Sequence, residues 1–428
     1  MNLTRSQIII VGIIVLLIIG VIVVFVIGRR ESVSGQISGK INFWGVEDSS
    51  QVMRELIDKY KALRPGAEIN YLEINQETYE TDLVNALAGV SGPDLFMIHN
   101  TWLPKHFDKI MPLLSENFTL KDMQSLFPTV IEQDFAPDGI IYALPLYLDT
   151  LALFYNKDFF DEKGIALTPK NWEDFQNMIS KLRELDRAGK ITKAAAAIGG
   201  SNRSVENATD ILSLLLLQTG TKMTSDDFSR ATFSTGGQQA LKFYTDFANP
   251  SSPYFTWNEN LPHSSDYFGQ GGAAMMFGYA RQIPLIKQKN PFLRFGVLPM
   301  LQPKEASKPI NYANYWGLAA SVKSKNSPLA WDFAIYLATN LDAQRKYSEL
   351  TAKPPVLRTL INQTLSDPII GIFSRQSLTA RSWPQVDGSA VKNIFSAMIE
   401  NVLTGRLSID RSISEAEGKV TQLMQRRR

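Results

Sequence analysis

The chain opens with a long and purely apolar run. Residues 8–27 contain no polar side chain over twenty positions. As a helix rising about 1.5 Å per residue, this run spans about 30 Å, the hydrocarbon thickness of a bilayer. A cleavable signal peptide has a shorter apolar stretch followed by a small-residue site, for which Ser32-Val33-Ser34 is the candidate here. We therefore predict an uncleaved transmembrane anchor and stalk over residues 1–35, with a cleaved signal as the alternative.

After this run the pattern alternates between short apolar strands and amphipathic helices. Strands are predicted at residues 40–45, 68–74 and 94–98. Between them lie one helix with an apolar face and a stop at Pro65-Gly66, and a second that ends near Gly92-Pro93. Strand, helix and strand in alternation indicate a parallel sheet with helices on both faces. Ligands bind beyond the carboxyl ends of such strands, which places residues 44–47 and 99–102 at one rim.

The rest of the chain adds a second set of strands and helices. Strand-like runs lie at residues 151–156, 273–277, 292–297 and 316–322, and helices at 172–185, 209–218 and 238–247. The region after Pro328 is predicted to be helical to the end. Two sheet-bearing halves with interleaved segments require a chain that crosses between lobes more than once, and such crossings make natural hinges.

Composition supports a large folded body. The 428 residues are 44% hydrophobic and 20% charged, and a single core stops growing well below this length, so two lobes are expected. Without residues 1–34 the chain holds equal numbers of basic and acidic residues, which argues against a nucleic-acid binder. The chain has no cysteine, so disulfides, thiol catalysis, cysteine zinc sites and a lipidated cysteine anchor are excluded.

The usual catalytic and cofactor motifs are missing. No Walker loop, HExxH or G-x-S-x-G sequence occurs, and Gly269-Gln270-Gly271-Gly272 fails the dinucleotide fingerprint. His99 and His106 flank Pro104 and do not form a helical metal pair. We therefore predict no catalytic residue, no metal and no cofactor. Two carboxylates suffice for a glycosidase, so a surface glycan-degrading enzyme stays an alternative.

Several motifs, taken in order, resemble a known family. The segments that carry the resemblance are Ile41-Asn42-Phe43-Trp44, Leu87-Ala88-Gly89-Val90-Ser91-Gly92-Pro93-Asp94-Leu95-Phe96, Gly139-Ile140-Ile141-Tyr142-Ala143-Leu144-Pro145, Leu153-Phe154-Tyr155-Asn156-Lys157, Pro169-Lys170-Asn171-Trp172, Gly271-Gly272-Ala273-Ala274-Met275 and Trp316-Gly317-Leu318-Ala319-Ala320. From about Ile41 to Gln425, the chain resembles the family 1 extracellular solute-binding proteins of ABC importers, the group that contains the maltose-binding protein.

The resemblance implies an α/β, two-lobed periplasmic-binding-protein-like fold of type II. We expect lobe 1 to comprise residues 36–148 plus 300–350, and lobe 2 to comprise residues 149–299 plus 351–428. The implied function is an extracytoplasmic receptor that closes on a small solute, which the resemblance gives as a sugar or oligosaccharide, and delivers it to an ABC transporter permease. A monomer is expected, held at the cell membrane by the N-terminal helix with its body outside, and with no nucleic-acid partner.

The resemblance also carries over candidate ligand-binding residues one by one. Each candidate takes its place from a motif of the family. They are Trp44 and Glu47 after the first strand, Asn100 and Trp102 after the third strand, Asp149 before the Leu153–Lys157 motif, Tyr279 and Arg281 after the glycine-alanine motif, Tyr315 and Trp316 at the late strand, and Trp383 as the nearest match to a C-terminal tryptophan. Aromatic rings cover the apolar faces of sugars, while Asp, Glu, Asn and Arg satisfy hydroxyls in pairs. The family's tryptophan after the glycine-alanine motif is absent, since Gly278-Tyr279-Ala280-Arg281 stands there. Core packing is the alternative for Trp44, Trp316 and Trp383.

Other uses of the scaffold stay open at this stage. The same two lobes suit a non-sugar solute such as a polyamine, a phosphoester or a peptide fragment. A sensor that works without a permease is a further alternative.

Overall fold

The structure is a computed structural model that describes residues 37–89, 92–114 and 118–425. The predicted anchor over residues 8–27, with the stalk that follows it, lies outside the described residues. Across those described ranges, no helix combines the length and the apolarity that crossing a membrane requires.

The first sheet has five strands in the order β2-β1-β3-β12-β4. Strands β1 and β2 pair in parallel, β1 and β3 pair in parallel, and β12 joins antiparallel to β3 and β4. The parallel sheet predicted from the alternating pattern is therefore confirmed. Its strands are β1 (Gly39–Gly45), β2 (Ala67–Glu73), β3 (Leu95–His99), β4 (Leu144–Pro145) and β12 (Trp316–Ala320).

Helices pack on this sheet where the sequence predicts them. The first begins after Ser49, whose side chain accepts a hydrogen bond from the Val52 amide, and its buried face includes Leu56 and Tyr60. Leu63 lies in the last turn of this helix and is 56% exposed. The helices of this part are α1 (Ser50–Leu63), α2 (Tyr79–Ala88), α3 (Leu103–His106), α4 (Leu120–Leu126), α5 (Thr129–Phe135), α12 (Ser327–Thr339), α13 (Leu341–Thr351) and α14 (Arg358–Thr364), with a 3₁₀ turn at Phe107–Lys109.

A second, smaller sheet runs in the order β10-β6-β9, with β6 antiparallel to both neighbours. Its strands are β6 (Ala152–Asn156), β9 (Met275–Gly278) and β10 (Phe295–Leu298), and a separate pair is β7 (Glu184–Leu185) with β8 (Ile191–Lys193). The helices around it are α6 (Lys157–Glu162), α7 (Trp172–Leu182), α8 (Ala208–Gln218), α9 (Ser234–Asp246), α10 (Ser264–Gly269), α11 (Gln282–Lys289), α15 (Ile370–Ser377), α16 (Gly388–Leu403) and α17 (Ile409–Gln425).

The C-terminal region differs from the continuous helical segment that the sequence predicted. A short strand, β13 (Ala380–Arg381), interrupts it and pairs in parallel with β11 (Asn311–Asn314). Strand β11 also pairs antiparallel with β5 (Asp149–Thr150). Strand pairing over long sequence distances leaves no local pattern, which is why the interruption was missed.

Two hydrophobic cores divide the body. The first core surrounds the five-stranded sheet and the second surrounds the three-stranded sheet. Along the chain, membership changes between Leu148 and Leu151 and between Tyr312 and Ala313. It changes again between Leu360 and Phe373, and Ala380 packs in the first core before the chain returns to the second at Trp383. We call the two parts the first and second lobe.

The lobe boundaries at these crossings differ from those predicted from the sequence. Met300 and Leu301, expected in lobe 1, pack in the second core, whereas Val356 and Leu357, expected in lobe 2, pack in the first core. The small sheet β13-β11-β5 lies at the crossings. We therefore propose lobe boundaries at these crossings, with residues 37–148 and 313–360 forming most of the first lobe.

Candidate functional site

A cavity of about 690 Å³ lies between the two lobes. Its walls include Glu47, His99 and Trp102 from the first lobe and Asp210 and Arg281 from the second. Cavities of a few hundred to a thousand cubic ångströms with converging polar groups are typical of small-molecule sites. The carboxyl ends of β1 and β3 open into it, as expected for a parallel sheet.

Aromatic side chains form the first-lobe wall of this cavity. Trp102 follows β3 and Trp316 begins β12, and their rings meet edge to face with centroids 5.0 Å apart. Tyr79 stacks on Trp102 at 6.1 Å and meets Trp316 edge to face at 5.6 Å. The indole Nε1 of Trp316 is buried and has no hydrogen-bond partner among the described residues. The cavity thus borders on rigid aromatic surface of the kind that covers an apolar ligand face.

The second lobe contributes a carboxylate from the first turn of α8. Tyr279 donates its hydroxyl hydrogen bond to Asp210 Oδ2 at 2.7 Å, and Asn314 Nδ2 donates to the same oxygen at 3.4 Å. Asp210 lies in the cavity wall. Both donors reach one oxygen, so the carboxylate is oriented by the protein before any ligand arrives.

Glu47 occupies an unusual backbone conformation at the end of the first strand. Its φ is 64°, in the left-handed region that non-glycine residues rarely adopt and that is found at functional sites. Tyr147 donates to Oε2 at 3.1 Å and Gln76 donates to Oε1 at 2.9 Å. Burial would raise the pKa of Glu47, but the charges of Arg281 and Lys353 outweigh it and hold the pKa below its usual value.

Arg281 faces Glu47 from the other lobe. Its Nη1 donates to Asn314 Oδ1 at 3.1 Å and lies 3.4 Å from Glu47 Oε1. Its backbone is held by Asp149, whose carboxylate accepts the amides of Ala280 at 3.1 Å and Arg281 at 3.3 Å. Burial opposes the charge, but neighbouring Glu47 raises the pKa of Arg281 and keeps it protonated.

His99 is the imidazole of the cavity wall. Its Nδ1 lies 2.9 Å from Thr101 Oγ1 and its Nε2 lies 3.3 Å from Asn314 Oδ1. Burial lowers the pKa of His99, although Asn314, Asp210 and Glu47 act in the opposite direction. A neutral ring has one donor and one acceptor, and here Asn314 and Thr101 use both, so the protein fixes the orientation of the ring.

The far rim of the cavity carries a bridge between the lobes. Lys105 Nζ lies 2.7 Å from Glu80 Oε1 and 2.7 Å from Asp387 Oδ2. Ser389, at the start of α16, donates to Glu80 Oε2 at 3.0 Å. Burial would raise the pKa of Glu80, but His106 and Lys105 lower it to about 2. The carboxylate is therefore charged at neutral pH, and the lobes are in contact on this side.

Comparison with known proteins places the chain in a family. Residues 44–343 match the profile of the family described as bacterial extracellular solute-binding protein. The chain belongs to this family. The sequence predicted membership of this family and a two-lobed α/β fold, and both predictions are confirmed.

Relatives and solved structures cover most of this solute-binding protein. It is 23% identical to the galactooligosaccharide-binding protein of Bacillus subtilis over 72% of this chain and 73% of that protein. It is 22% identical, over 83% of this chain and 87% of the relative, to a Deinococcus radiodurans protein named "Probable ABC transporter-binding protein". The structure of the sugar-binding protein MalE from Xanthomonas citri superposes with a TM-score of 0.76 at 21% identity, covering 91% of this chain and 98% of that one.

The structure brings together four of the ten side chains predicted to bind ligand. Glu47, Trp102, Arg281 and Trp316 line the cavity of this solute-binding protein. Three of them follow or begin strands of the first sheet, where the resemblance placed them. Their role in binding stays a prediction.

The other six predicted residues lie behind the cavity wall. Asn100 and Tyr315 both donate to the buried carboxylate of Asp134, and Trp44 packs against the first core. Asp149 is fully buried and holds the backbone of Arg281, while the Tyr279 hydroxyl is used by Asp210. Trp383 stacks on Phe395 at 5.8 Å.

These six side chains are turned away from the cavity for physical reasons. A carboxylate among apolar neighbours, such as Asp149, needs donors, and the backbone amides of residues 280 and 281 supply them at short range. A tryptophan adjacent to a helix face, such as Trp383, gains more from burial than from exposure. They support the side chains that line the cavity.

Sequence reasoning missed several residues of the cavity wall. Asp210, Asn314, Gln385 and Asp387 line the cavity, as does Lys105. Asn314 is the last residue of β11 and lies at a lobe crossing. The only sequence signal for its position was the segment before Trp316. Asp210 stands in the otherwise apolar helix α8, and that interruption was the one local signal available. Within the described ranges, no group of three or more acidic or histidine side chains is arranged to hold a metal ion.

Proposed function

We propose that this solute-binding protein captures a small saccharide in the cavity between its lobes. The observation that supports the proposal is the composition of the walls. An edge-to-face pair of tryptophans stands on one lobe, and oriented carboxylate, amide and guanidinium groups converge from both. Saccharides present apolar ring faces and hydroxyls that donate and accept, so they match such walls.

The polar groups of the cavity suit selection among hydroxyl patterns. A net hydrogen bond contributes only about 0.5–1.5 kcal/mol, whereas a buried group left unpaired costs about 1–3 kcal/mol. Asp210 and His99 are fixed by Tyr279 and Asn314 and cannot turn to follow a wrong partner. A sugar with one hydroxyl misplaced would therefore be rejected more strongly than a matching sugar is attracted.

Closure of the lobes is the proposed mechanism. A ligand that contacts both lobes stabilises the closed arrangement by its difference in affinity for the closed and open states. The crossings at β5 and β11 are the segments about which the lobes would rotate. The closed form would then dock on an ABC transporter permease, a partner suggested by the name of the Deinococcus radiodurans relative.

The setting of the protein is part of the proposal. Its family is that of extracellular solute-binding proteins, so we propose a monomeric body outside the cytoplasm. Residues 8–27 would tether it to the cell membrane as a single-pass helix. We also propose that the bound saccharide is released unchanged, since the family consists of binding proteins.

A saccharide panel tests the proposed function. The full-length protein would be purified in a detergent without a sugar headgroup and its melting temperature measured with mono-, di- and oligosaccharides. A ligand at a hundred times its Kd adds about 2.7 kcal/mol of stability. We expect stabilisation by at least one saccharide, lost in Trp102→Ala and retained in Trp331→Phe, a buried tryptophan of the first core. Stabilisation by other solute classes alone, or turnover of a saccharide, would contradict the proposal.

A further inference from the structure

A second cavity lies against the first. It has a volume of about 530 Å³ and, like the ligand cavity, it opens between the lobes. Glu47, Gln76 and Arg281 line both cavities. These three side chains therefore form the wall that separates the cavities, and we call this wall the partition.

The partition spans the gap from lobe to lobe. Gln76 and Glu47 belong to the first lobe and join at 2.9 Å between Nε2 and Oε1. Arg281 belongs to the second lobe, and its Nη1 reaches the same Oε1 at 3.4 Å. Only 9% of the Glu47 side chain and 26% of the Arg281 side chain are exposed. The three groups thus meet in the middle of the cleft.

Neighbouring polar side chains contact both charged members of the partition and hold them in place. Lys353 Nζ lies 3.6 Å from Glu47 Oε2, and the Tyr147 hydroxyl donates to that oxygen. Lys353 is itself fixed by Asp48 at 2.8 Å. On the other side, Asn314 accepts from the Arg281 guanidinium. Breaking one buried partner from such a set leaves a charge unpaired, which costs several kcal/mol, so the partition resists being pushed aside.

The second cavity differs in chemistry from the first. Its walls include the apolar side chains of Val52, Leu285 and Leu350, together with Glu206 and Lys289. Aromatic residues line the ligand cavity but are absent from the described lining of the second one. The second cavity is therefore a part of the cleft with different walls, and the partition divides it from the ligand cavity.

We propose that the partition of Gln76, Glu47 and Arg281 sets the length of the ligand. It closes one end of the ligand cavity, so a saccharide chain ends against Arg281 and cannot extend into the second cavity. The proposal rests on the proposed saccharide function and adds to it a limit on chain length. Arg281 is on this view the residue that determines length specificity.

Chain-length series test the proposal. Calorimetric Kd values would be measured for malto-, cello- and manno-oligosaccharides of increasing length, with wild type, Arg281→Ala and Arg294→Ala. Arg294 is an exposed arginine of the second lobe that pairs with Asp158 and Asp161 and lines neither cavity, which makes it a matched control. Removing the Arg281 side chain should weaken short members and shift the ratio of long-chain to short-chain affinity by about tenfold, equivalent to 1.4 kcal/mol.

The outcomes separate the two proposals. A wild type that binds short members best and an Arg281→Ala variant that accepts longer ones would support the partition. If the wild type binds saccharides and Arg281→Ala shows the same dependence of Kd on chain length, the role of the partition is overturned and the saccharide function stays intact. Failure of the wild type to bind any member would overturn both. Should Arg281→Ala fail to fold, Gln76→Ala and Arg281→Lys take its place, since each removes a smaller part of the partition. Both are expected to shift the dependence of Kd on chain length in the same direction.

Discussion

The ammonium of Lys105 lies 2.7 Å from the carboxylate of Asp387 and joins the two lobes across the rim of the cleft. Lys105 is on α3, which packs in the first core, and Asp387 caps α16, which packs in the second. The same ammonium also contacts Glu80. Lys105 therefore neutralises two carboxylates that would otherwise face each other from opposite lobes.

Removing Lys105 should loosen the contact between the lobes. In Lys105→Met the two carboxylates lose their shared cation, so we expect a wider distribution of interlobe distances and a Kd for saccharide raised about tenfold, or 1.4 kcal/mol. The chain has no cysteine, so spin labels at Lys61→Cys and Lys181→Cys, two exposed helix positions on different lobes, report the distance directly. Lys419→Met removes an exposed pair within one helix and should leave the distances unchanged. A distance distribution for Lys105→Met identical to wild type would rule out the bridging role.

Gly388 allows the close approach of α16 to the first lobe. A Cβ at this position would lie 2.8 Å from Thr101 Oγ1, closer than real Cβ contacts allow. Gly388→Val should therefore hold the lobes apart and abolish closure, seen as a larger radius of gyration in solution scattering with saccharide present. Gly418→Ala, in open space on the neighbouring helix, is the control. Closure that is normal in Gly388→Val would show that the lobes meet elsewhere.

Much of the first lobe was readable from the sequence because its elements carry local patterns. The strands around Phe43 and Tyr71 alternate with period two, and the helix through Leu56 has helical spacing. The strand through Phe96 is a short apolar run that is buried along its length. The site residues that sequence reasoning placed well, Glu47 and Trp102, come directly after such strands. Their position at the rim follows from the parallel sheet alone.

The remaining site residues depend on contacts between distant parts of the chain. Asp149 interrupts an apolar run, and the sequence does not show that backbone amides 131 and 132 residues away satisfy it. Asp210 comes from a helix of the other lobe and is set by Tyr279. Which lobe each late segment joins is decided by strand pairing at β11, which forms only two residue pairs with β13 and two with β5.

The buried carboxylate of Asp149 should make stability depend on pH. Burial raises its pKa to about 6 from 3.8, although the amides of Ala280 and Arg281 act against this. The folded state therefore holds the proton more tightly than the unfolded state. The resulting stabilisation is fully present below about pH 4 and is lost as the pH rises to about 6, an effect on the order of 3 kcal/mol.

Urea unfolding between pH 4 and pH 7 checks this dependence with Asp149→Asn, which cannot ionise. The variant should show a smaller loss of unfolding free energy across this window than wild type. Part of the slope will persist because burial also raises the pKa of Asp134 to about 6. An unchanged slope in Asp149→Asn would mean that this carboxylate titrates outside the window.

Two buried tryptophans offer a matched test of ligand contact. The indole nitrogens of Trp316 and Trp331 both lack hydrogen-bond partners among the described residues, and the side chains are 5% and 6% exposed. Only Trp316 lines the ligand cavity. Trp316→Phe should weaken saccharide binding several-fold, by about 1 kcal/mol, because the smaller ring offers less aromatic surface to the sugar, whereas Trp331→Phe should not change it. Equal Kd values for both variants in a calorimetric titration would remove Trp316 from the site.

The most direct test of saccharide capture between the lobes is calorimetric titration of the best panel sugar into the full-length protein and into Gly388→Val. We predict one binding site per chain in the wild type and a loss of at least tenfold in affinity when Thr101 and residue 388 cannot approach. Binding of equal affinity in both proteins would place the ligand outside the cleft and contradict capture between the lobes.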